Sequence, residues 1–204
     1  MDHLVKAARA AGVSDERVLV AIAAVPRAHF VPAEYAGRAD VDAPIPIPHQ
    51  QVTTQPSLVA RMVEALALVG EERVLEIGTG YGWQTALLAR LAHEVCSVER
   101  FADLAETARA ALARCDNVTI VVGDGSEGLP ERAPFDAILV AAAYPSVPAP
   151  LAEQLADGGR LVQPLGYGGD EDVVLFEKRD GVLRRVRSIS GAYFVRLRGR
   201  YGFA

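Results

Sequence analysis

Glu76 stands two positions before Gly78, and glycines recur at Gly78, Gly80 and Gly82. Glycine backbone turns tightly and lets a ligand lie directly against it. A dinucleotide site spaces its glycines G-x-G-x-x-G and seats a pyrophosphate at a helix N-terminus. Here the spacing is G-x-G-x-G, and a carboxylate at Glu76 would repel a pyrophosphate. It suits a cationic ligand instead. Glu99 lies 21 positions after Gly78, close to where a carboxylate holds a ribose about 20 residues on. Gly123-Asp124-Gly125 closes a third apolar run. Glu76, Glu99 and Asp124 would thus fence a glycine-floored pocket that accepts positive charge and turns phosphates away.

These residues need a scaffold that brings strand ends to one edge. Val74–Ile77 reads as a short buried strand, and Gln84–Ala92 after the glycines reads as a helix. Strand, glycine turn and helix open a nucleotide-binding half of a doubly wound sheet. Val95–Glu99, Val118–Gly123 and Phe135–Ala143 supply further strands, with an alanine-rich helix over Phe101–Arg114. Ala141 to Ala143 are small enough to leave room for a ligand. Pro148–Ala156 reads as a short helix stopped by Asp157-Gly158-Gly159, and Arg160–Pro164 as a fifth strand. Val173–Lys178 and Val182–Ile189, joined by Arg179-Asp180-Gly181, form a hairpin pattern. Ala192–Leu197 is a further candidate strand. The expected fold is α/β: a doubly wound, mostly parallel Rossmann-like sheet with N-terminal helices and a C-terminal antiparallel hairpin.

Upstream, Asp2–Ala11 reads as a helix stopped by Gly12, and Ser14 as the N-cap of a second helix reaching Ala24. Val25–Pro32 is bracketed by prolines, and its His29 reads as packed or solvated rather than catalytic. Prolines at 44, 46 and 48 force an extended chain without ladder donors. Gln50–Gln55 then offers amides and hydroxyls to a ligand. So long a segment without regular structure is functional or disordered. It also enters a helix, with Thr54 or Gln55 as cap and Pro56 in the first turn. Leu58, Met62, Ala65, Leu66 and Val69 give that helix one apolar face, and Gly70 is its expected stop.

The 204 residues suffice for one domain with a full core. We expect residues 1–56 to supply N-terminal helices and a substrate loop, and 57–204 the cofactor-binding core. Half the residues are hydrophobic and the formal charge is −5. No basic footprint for nucleic acid stands out. Arg184, Arg185, Arg187, Arg196, Arg198 and Arg200 gather near the end. They read as solvated strand faces, or as a positive rim attracting an anionic substrate. Two cysteines, Cys96 and Cys115, make neither a zinc site nor a disulfide scaffold. Charges throughout Met1–Ala11 argue against a signal peptide, and no apolar run reaches membrane-spanning length. A monomeric cytoplasmic protein without a bound metal is the expectation.

Glu-x-Gly-x-Gly-x-Gly resembles the first motif of S-adenosylmethionine-dependent methyltransferases. That cofactor carries an ammonium and a sulfonium and no phosphate. Gln51–Pro56 with Ser97-Val98-Glu99-Arg100 narrows the likeness. So do Val25-Pro26-Arg27, Phe30-Val31-Pro32, Pro46-Ile47, Gly123-Asp124-Gly125, Pro134–Ile138 and Phe194-Val195 with Leu197. Together they resemble the protein-L-isoaspartate O-methyltransferases. The resemblance implies methylation of the α-carboxylate of isoaspartyl residues in aged proteins or peptides. It places Gln51, Thr53, Glu76, Gly78, Thr79, Gly80, Arg100 and Ala141 around the cofactor. Glu99 would hold the ribose hydroxyls, and Asp124 with Gly125 the adenine end. Thr54 occupies the position of the family's active serine. Pro48-His49-Gln50-Gln51 replaces Gly-Gln-Gly-Gln, Tyr81 and Trp83 enlarge the glycine turn, and Arg196 replaces a proline.

A carboxylate acceptor is ionised at neutral pH and needs no general base. The required work is alignment and exclusion of water. Alternative readings are an aspartyl residue of a specific modified peptide, another small acid, or a cofactor-binding protein without catalysis. A nicotinamide oxidoreductase is disfavoured by the glycine spacing and by Glu76.

Overall fold

A computed structural model describes residues 2–204. Helices α1 (Asp2–Ala10) and α2 (Glu16–Ala24) precede two 3-10 turns at Arg27–Phe30 and Ala33–Arg38. Strands β1 (Ile45–Ile47) and β2 (Gln51–Thr53) lead into α3 (Pro56–Leu66). The alternating core follows: β3 (Arg73–Ile77), α4 (Trp83–Ala89), β4 (Glu94–Glu99), α5 (Ala102–Ala111), β5 (Val118–Val122) and β6 (Phe135–Val140). Last come α6 (Ala149–Gln154), β7 (Leu155–Leu165), β8 (Glu171–Arg179) and β9 (Val182–Ala192).

Seven strands form one sheet in the order β5-β4-β3-β6-β7-β8-β9. β5 through β7 pair in parallel, while β8 and β9 are antiparallel. The chain winds outward from β3 to β5, then returns to lay β6 on the other side of β3. Strand order therefore reverses between β3 and β6, and a crevice at the carboxyl ends there is the ligand position of doubly wound folds. This is the architecture expected from the sequence.

Strand alternation divides the core. Val74, Val95, Ala137 and Leu139 face a layer built by α1 to α4 and the inner side of α5. Leu75, Ile77, Cys96, Val98, Ile138 and Val140 face the other side, covered by Leu151, Leu155 and Leu197. Burying both faces explains why these strands read as continuous apolar runs. The β8–β9 hairpin turns on Asp180 (φ 53°) and Gly181 (φ 73°), the paired left-handed conformation that matches strand twist.

Several local expectations change. Asp15, not Ser14, caps α2, accepting from the Arg17 N–H, while the Glu64 carboxylate takes the Ser14 and Asp15 N–H groups. The segment read as extended without ladder partners is a hairpin. Ile45 pairs with Thr53 and Ile47 with Gln51, so the donor-less Pro46 falls between them. No side chain of Thr54 or Gln55 caps α3; Asp42 does so, accepting from the Ser57 N–H at 2.8 Å. That helix ends at Leu66, before Gly70, with Ala67 left-handed (φ 52°). The early turn buries Leu68 and leaves Val69 outside. The stop at Asp157-Gly158-Gly159 is instead a bulge within β7, since Phe135 pairs with Leu155 but Ala137 with Arg160. Lys178 terminates α6, donating to the Ala152, Glu153 and Leu155 carbonyls. Ala192–Leu197 is no strand past Ala192; it makes only a bridge between Arg196 and Ala143.

Candidate active site

The crevice between β3 and β6 holds a cavity that opens to solvent. Its floor is the turn after β3. Gly78 (φ 94°) and Gly82 (φ 92°) are left-handed, and a Cβ on Gly82 would lie 2.9 Å from Leu112. Glycine is required there by conformation and by space together. The Gly78 N–H donates to the Val98 carbonyl and the Ala141 N–H to Ile77, which ties the turn to both neighbouring strands.

Glu99 ends β4 at the cavity wall. Its two oxygens accept the Gly80 and Phe101 N–H groups at 2.9 and 3.0 Å. Those bonds fix the carboxylate and leave it lone pairs for ligand hydroxyls. Arg100, Gly125 and Ala141 complete this side. A Cβ on Gly125 would meet Ile77 at 2.4 Å. Ile47, Ile77, Val98 and Leu104 contribute apolar wall. Apolar walls, one oriented carboxylate and a floor of glycine backbone suit an adenosyl ligand.

Glu76 is elsewhere. Period-two alternation puts it on the same side as Val74, beneath α4. It is fully buried and accepts from Gln84 Nε2 (2.8 Å), Thr85 Oγ1 (2.5 Å) and Ser97 Oγ (2.6 Å). Thr79, which lines the cavity, joins this network through Ser97 at 2.5 Å. Burial pushes the Glu76 carboxyl up to about 7, against the pull of its three hydrogen bonds. Glu76 therefore braces the glycine turn from below and does not line the cavity. Asp124 is not on the cavity wall either. Its carboxylate accepts the Ser126 N–H and hydroxyl and the Arg200 N–H, so the C-terminal segment occupies it. Of the three acids expected to fence the pocket, only Glu99 lies on the cavity wall.

The 51–54 segment closes the opposite side. Gln51, Thr53 and Thr54 line the cavity. Thr53 Oγ1 accepts from Arg27, and the Gln51 amide donates to the His49 carbonyl. At the hairpin tip His49 stacks on Phe101 (4.1 Å between centroids) and its Nε2 lies 2.8 Å from Asp103. The β1–β2 hairpin is thus fastened to the start of α5. Val195 to Arg198 form the remaining wall, held by Ala143 through bonds to Val195 and Leu197. Arg196 and Arg198 line the cavity, whereas Arg184 and Arg187 are solvated and Arg185 pairs with Asp172.

A second cavity adjoins the first. Val52, Thr54, Ala141 and Val195 belong to both. From that boundary it runs along Ser57, Leu58 and Arg61 of α3 and across Ser190 to Phe194. Thr54 stands at the junction, and its hydroxyl has no protein partner among the described residues.

Arg27 stands out in the sequence only as the end of the Val25-Pro26-Arg27 motif. It is 1 % exposed, and it donates to the Ala39, Val41, Ala43 and Thr54 carbonyls as well as to Thr53. Its guanidinium also lies 5.7 Å from the centre of the Trp83 ring, and the indole N–H is spent on the Val25 carbonyl. Nothing local marks such a residue, because its partners lie 12 to 27 positions away.

Comparison with known proteins extends the likeness over the whole length. The family described as protein-L-isoaspartate(D-aspartate) O-methyltransferase matches residues 1–202. A protein-L-isoaspartate O-methyltransferase of Methanoregula boonei is 50% identical over 194 residues, covering 94% of this chain and 89% of its own. That of Myxococcus xanthus is 49% identical, with 93% and 92% covered. A solved protein-L-isoaspartate O-methyltransferase superposes with a TM-score of 0.85 at 30% identity, over 98% of this chain and 67% of that one. A Plasmodium falciparum structure in complex with S-adenosyl-L-homocysteine shares the fold, with a TM-score of 0.79 at 21% identity. With the motifs, the switch-point cavity and a match from residue 1 to residue 202 in agreement, the chain belongs to the protein-L-isoaspartate(D-aspartate) O-methyltransferase family.

Proposed function

We propose that this chain moves a methyl group from S-adenosyl-L-methionine to the α-carboxylate of L-isoaspartyl residues in damaged proteins or peptides. One observation carries the reading: Thr54 lies in the wall shared by the cavity over the glycine turn and an open groove. When bound, S-adenosyl-L-methionine supplies a methyl group already activated by a sulfonium. The chain therefore needs to orient, not to move protons. Glu99 holds the ribose hydroxyls, and Gly78, Thr79 and Gly80 present backbone to the ligand. Arg100, Gly125 and Ala141 border the adenosyl part, and Gln51 and Thr53 close the loop over it. The Thr54 hydroxyl donates to the acceptor carboxylate and holds one oxygen in line for attack. The wall of residues 195–198 and the hairpin exclude water, which strips hydration from the nucleophile. Glu76 acts as a positioning residue for the floor.

In the same reading residues 1–56 form the substrate side and 57–204 the cofactor core of one domain, and the protein works as a cytoplasmic monomer. Both cysteines are free thiols, in keeping with a reducing compartment. Among the described residues no helix is long and apolar enough to cross a membrane. The open groove favours a peptide over a small acid. Transfer of label from S-adenosyl-L-methionine to matched isoaspartyl and aspartyl peptides tests the proposal. Base-labile methyl ester on the isoaspartyl peptide alone is expected; equal esterification of both, or of neither, overturns it.

A further inference from the structure

The second cavity carries a charge pattern of its own. Of the residues lining it, only Arg61 and Asp170 are charged. Arg61 projects from the face of α3 that also presents Ser57 and Leu58, one turn earlier. Its Nη2 donates to the Ile189 carbonyl of β9, which anchors the guanidinium at the groove. Half-buried, it joins no ion pair among the described residues. A guanidinium has five N–H donors in a fixed fork that matches a carboxylate. One bond to Ile189 leaves donors for a ligand.

The spacing says which part of a peptide arrives there. α3 starts two residues after Thr54, and from Pro56 to Arg61 the helix advances about 8 Å at 1.5 Å per residue. An extended peptide covers that length in roughly two to three residues at about 3.3 Å each. With the acceptor carboxylate at Thr54, a side chain two or three residues away reaches Arg61.

We propose that Arg61 is a specificity-determining residue that binds the carboxylate of an acidic side chain two or three residues from the isoaspartyl linkage. This rests on the methyl-transfer reading above. The interaction is made equally in the bound substrate and during transfer, so it lowers KM and leaves kcat alone. Asp170, in the same groove, acts against it, and its removal strengthens the preference.

The test uses isoaspartyl peptides carrying a single Glu or Gln at positions −3, −2, +2 or +3. At one of these positions the wild-type protein should show a KM roughly 5-fold to 10-fold lower for Glu than for Gln, the size of a partly exposed charge-assisted contact. Arg61→Gln should bring that ratio to about one with kcat unchanged, and Arg61→Lys should keep part of it. Asp170→Asn should widen the ratio, and provides a readout even if Arg61→Gln fails to fold. A purely structural strut from α3 to β9 would lower thermal stability without moving the Glu/Gln ratio. Equal KM values at all four positions, or a preference that survives in Arg61→Gln, overturns the proposal. Failure to methylate any isoaspartyl peptide would instead sink the function on which it rests.

Discussion

Arg27 Nη2 donates to the Thr53 hydroxyl at 2.8 Å and to the Thr54 carbonyl at 3.2 Å. One buried cation thereby sets the backbone of the residue at the junction of the two cavities. Burial lowers the guanidinium pKa to about 10, opposed by the nearby Asp42 charge, so it stays protonated at neutral pH. The charge is spread over four carbonyls, a hydroxyl and the Trp83 face, all within residues 39–54 and their contact with α4.

Truncating this residue takes a donor from the Ala39, Ala43 and Thr54 carbonyls and the Thr53 hydroxyl, while the Val41 carbonyl keeps the Ala43 N–H. Arg27→Ala should cost about 3 kcal/mol or more in urea unfolding, since each unsatisfied buried group costs about 1–3 kcal/mol. Activity should fall with the 51–54 loop. A variant of native stability and full turnover would show that Arg27 does not organise the loop.

Thr54 offers a hydroxyl and a methyl, and under the proposed mechanism only the hydroxyl takes part in transfer. Thr54→Ser should retain turnover. Thr54→Val keeps the shape, removes the donor and should lose most of kcat, roughly a hundredfold if alignment depends on this bond. Steady-state kinetics on an isoaspartyl peptide decides; an unimpaired Thr54→Val would remove Thr54 from the mechanism.

Among the described residues Glu99 is the one acidic residue lining the first cavity, and two backbone donors hold its carboxylate. Glu99→Gln should weaken binding of S-adenosyl-L-homocysteine by about tenfold to a hundredfold, the range of one or two lost charge-assisted bonds at about 1.5–3 kcal/mol in total. Titration calorimetry measures it. Unchanged affinity would mean that the ribose is held elsewhere, and tight pyrophosphate binding over Gly78–Gly82 would contradict the adenosyl assignment.

Glu76 makes stability depend on pH in an unusual direction. Its folded-state value, about 7, lies above the ordinary 4.5 because of burial. Folding therefore favours the protonated form. The full contribution is present below about 4.5 and is lost progressively as pH rises from there to about 7. At 1.36 kcal/mol per pH interval the change is on the order of 3 kcal/mol. Between pH 5 and pH 8 the wild-type melting temperature should fall further than that of Glu76→Gln, which cannot ionise. Parallel declines in the two proteins would mean that Glu76 titrates normally.

The alternation of strands and helices, the glycine turn and the placement of Glu99 at a strand end were legible from local pattern, whereas the order of the last strands in the sheet was not. Continuous apolar runs mark strands buried on both faces, and glycine spacing marks the turn that follows the first. A chain alternating strand and helix has few ways to fold, so these cues already brought Gly78, Glu99, Gly125 and Ala141 to one edge. Glu76 shows where such reasoning stops. Its position beside the motif is a fact of sequence, but the parity of β3 and the seating of α4 above it turned the side chain inward. Asp124 was drawn into the C-terminal segment by Ser126 and Arg200, a contact spanning 76 positions. The reach of Arg27, the seating of His49 on Phe101 and the joining of two cavities at Thr54 are likewise tertiary. Periodicity records which face of an element is apolar; it holds no record of which distant backbone groups will need a donor once that face is buried.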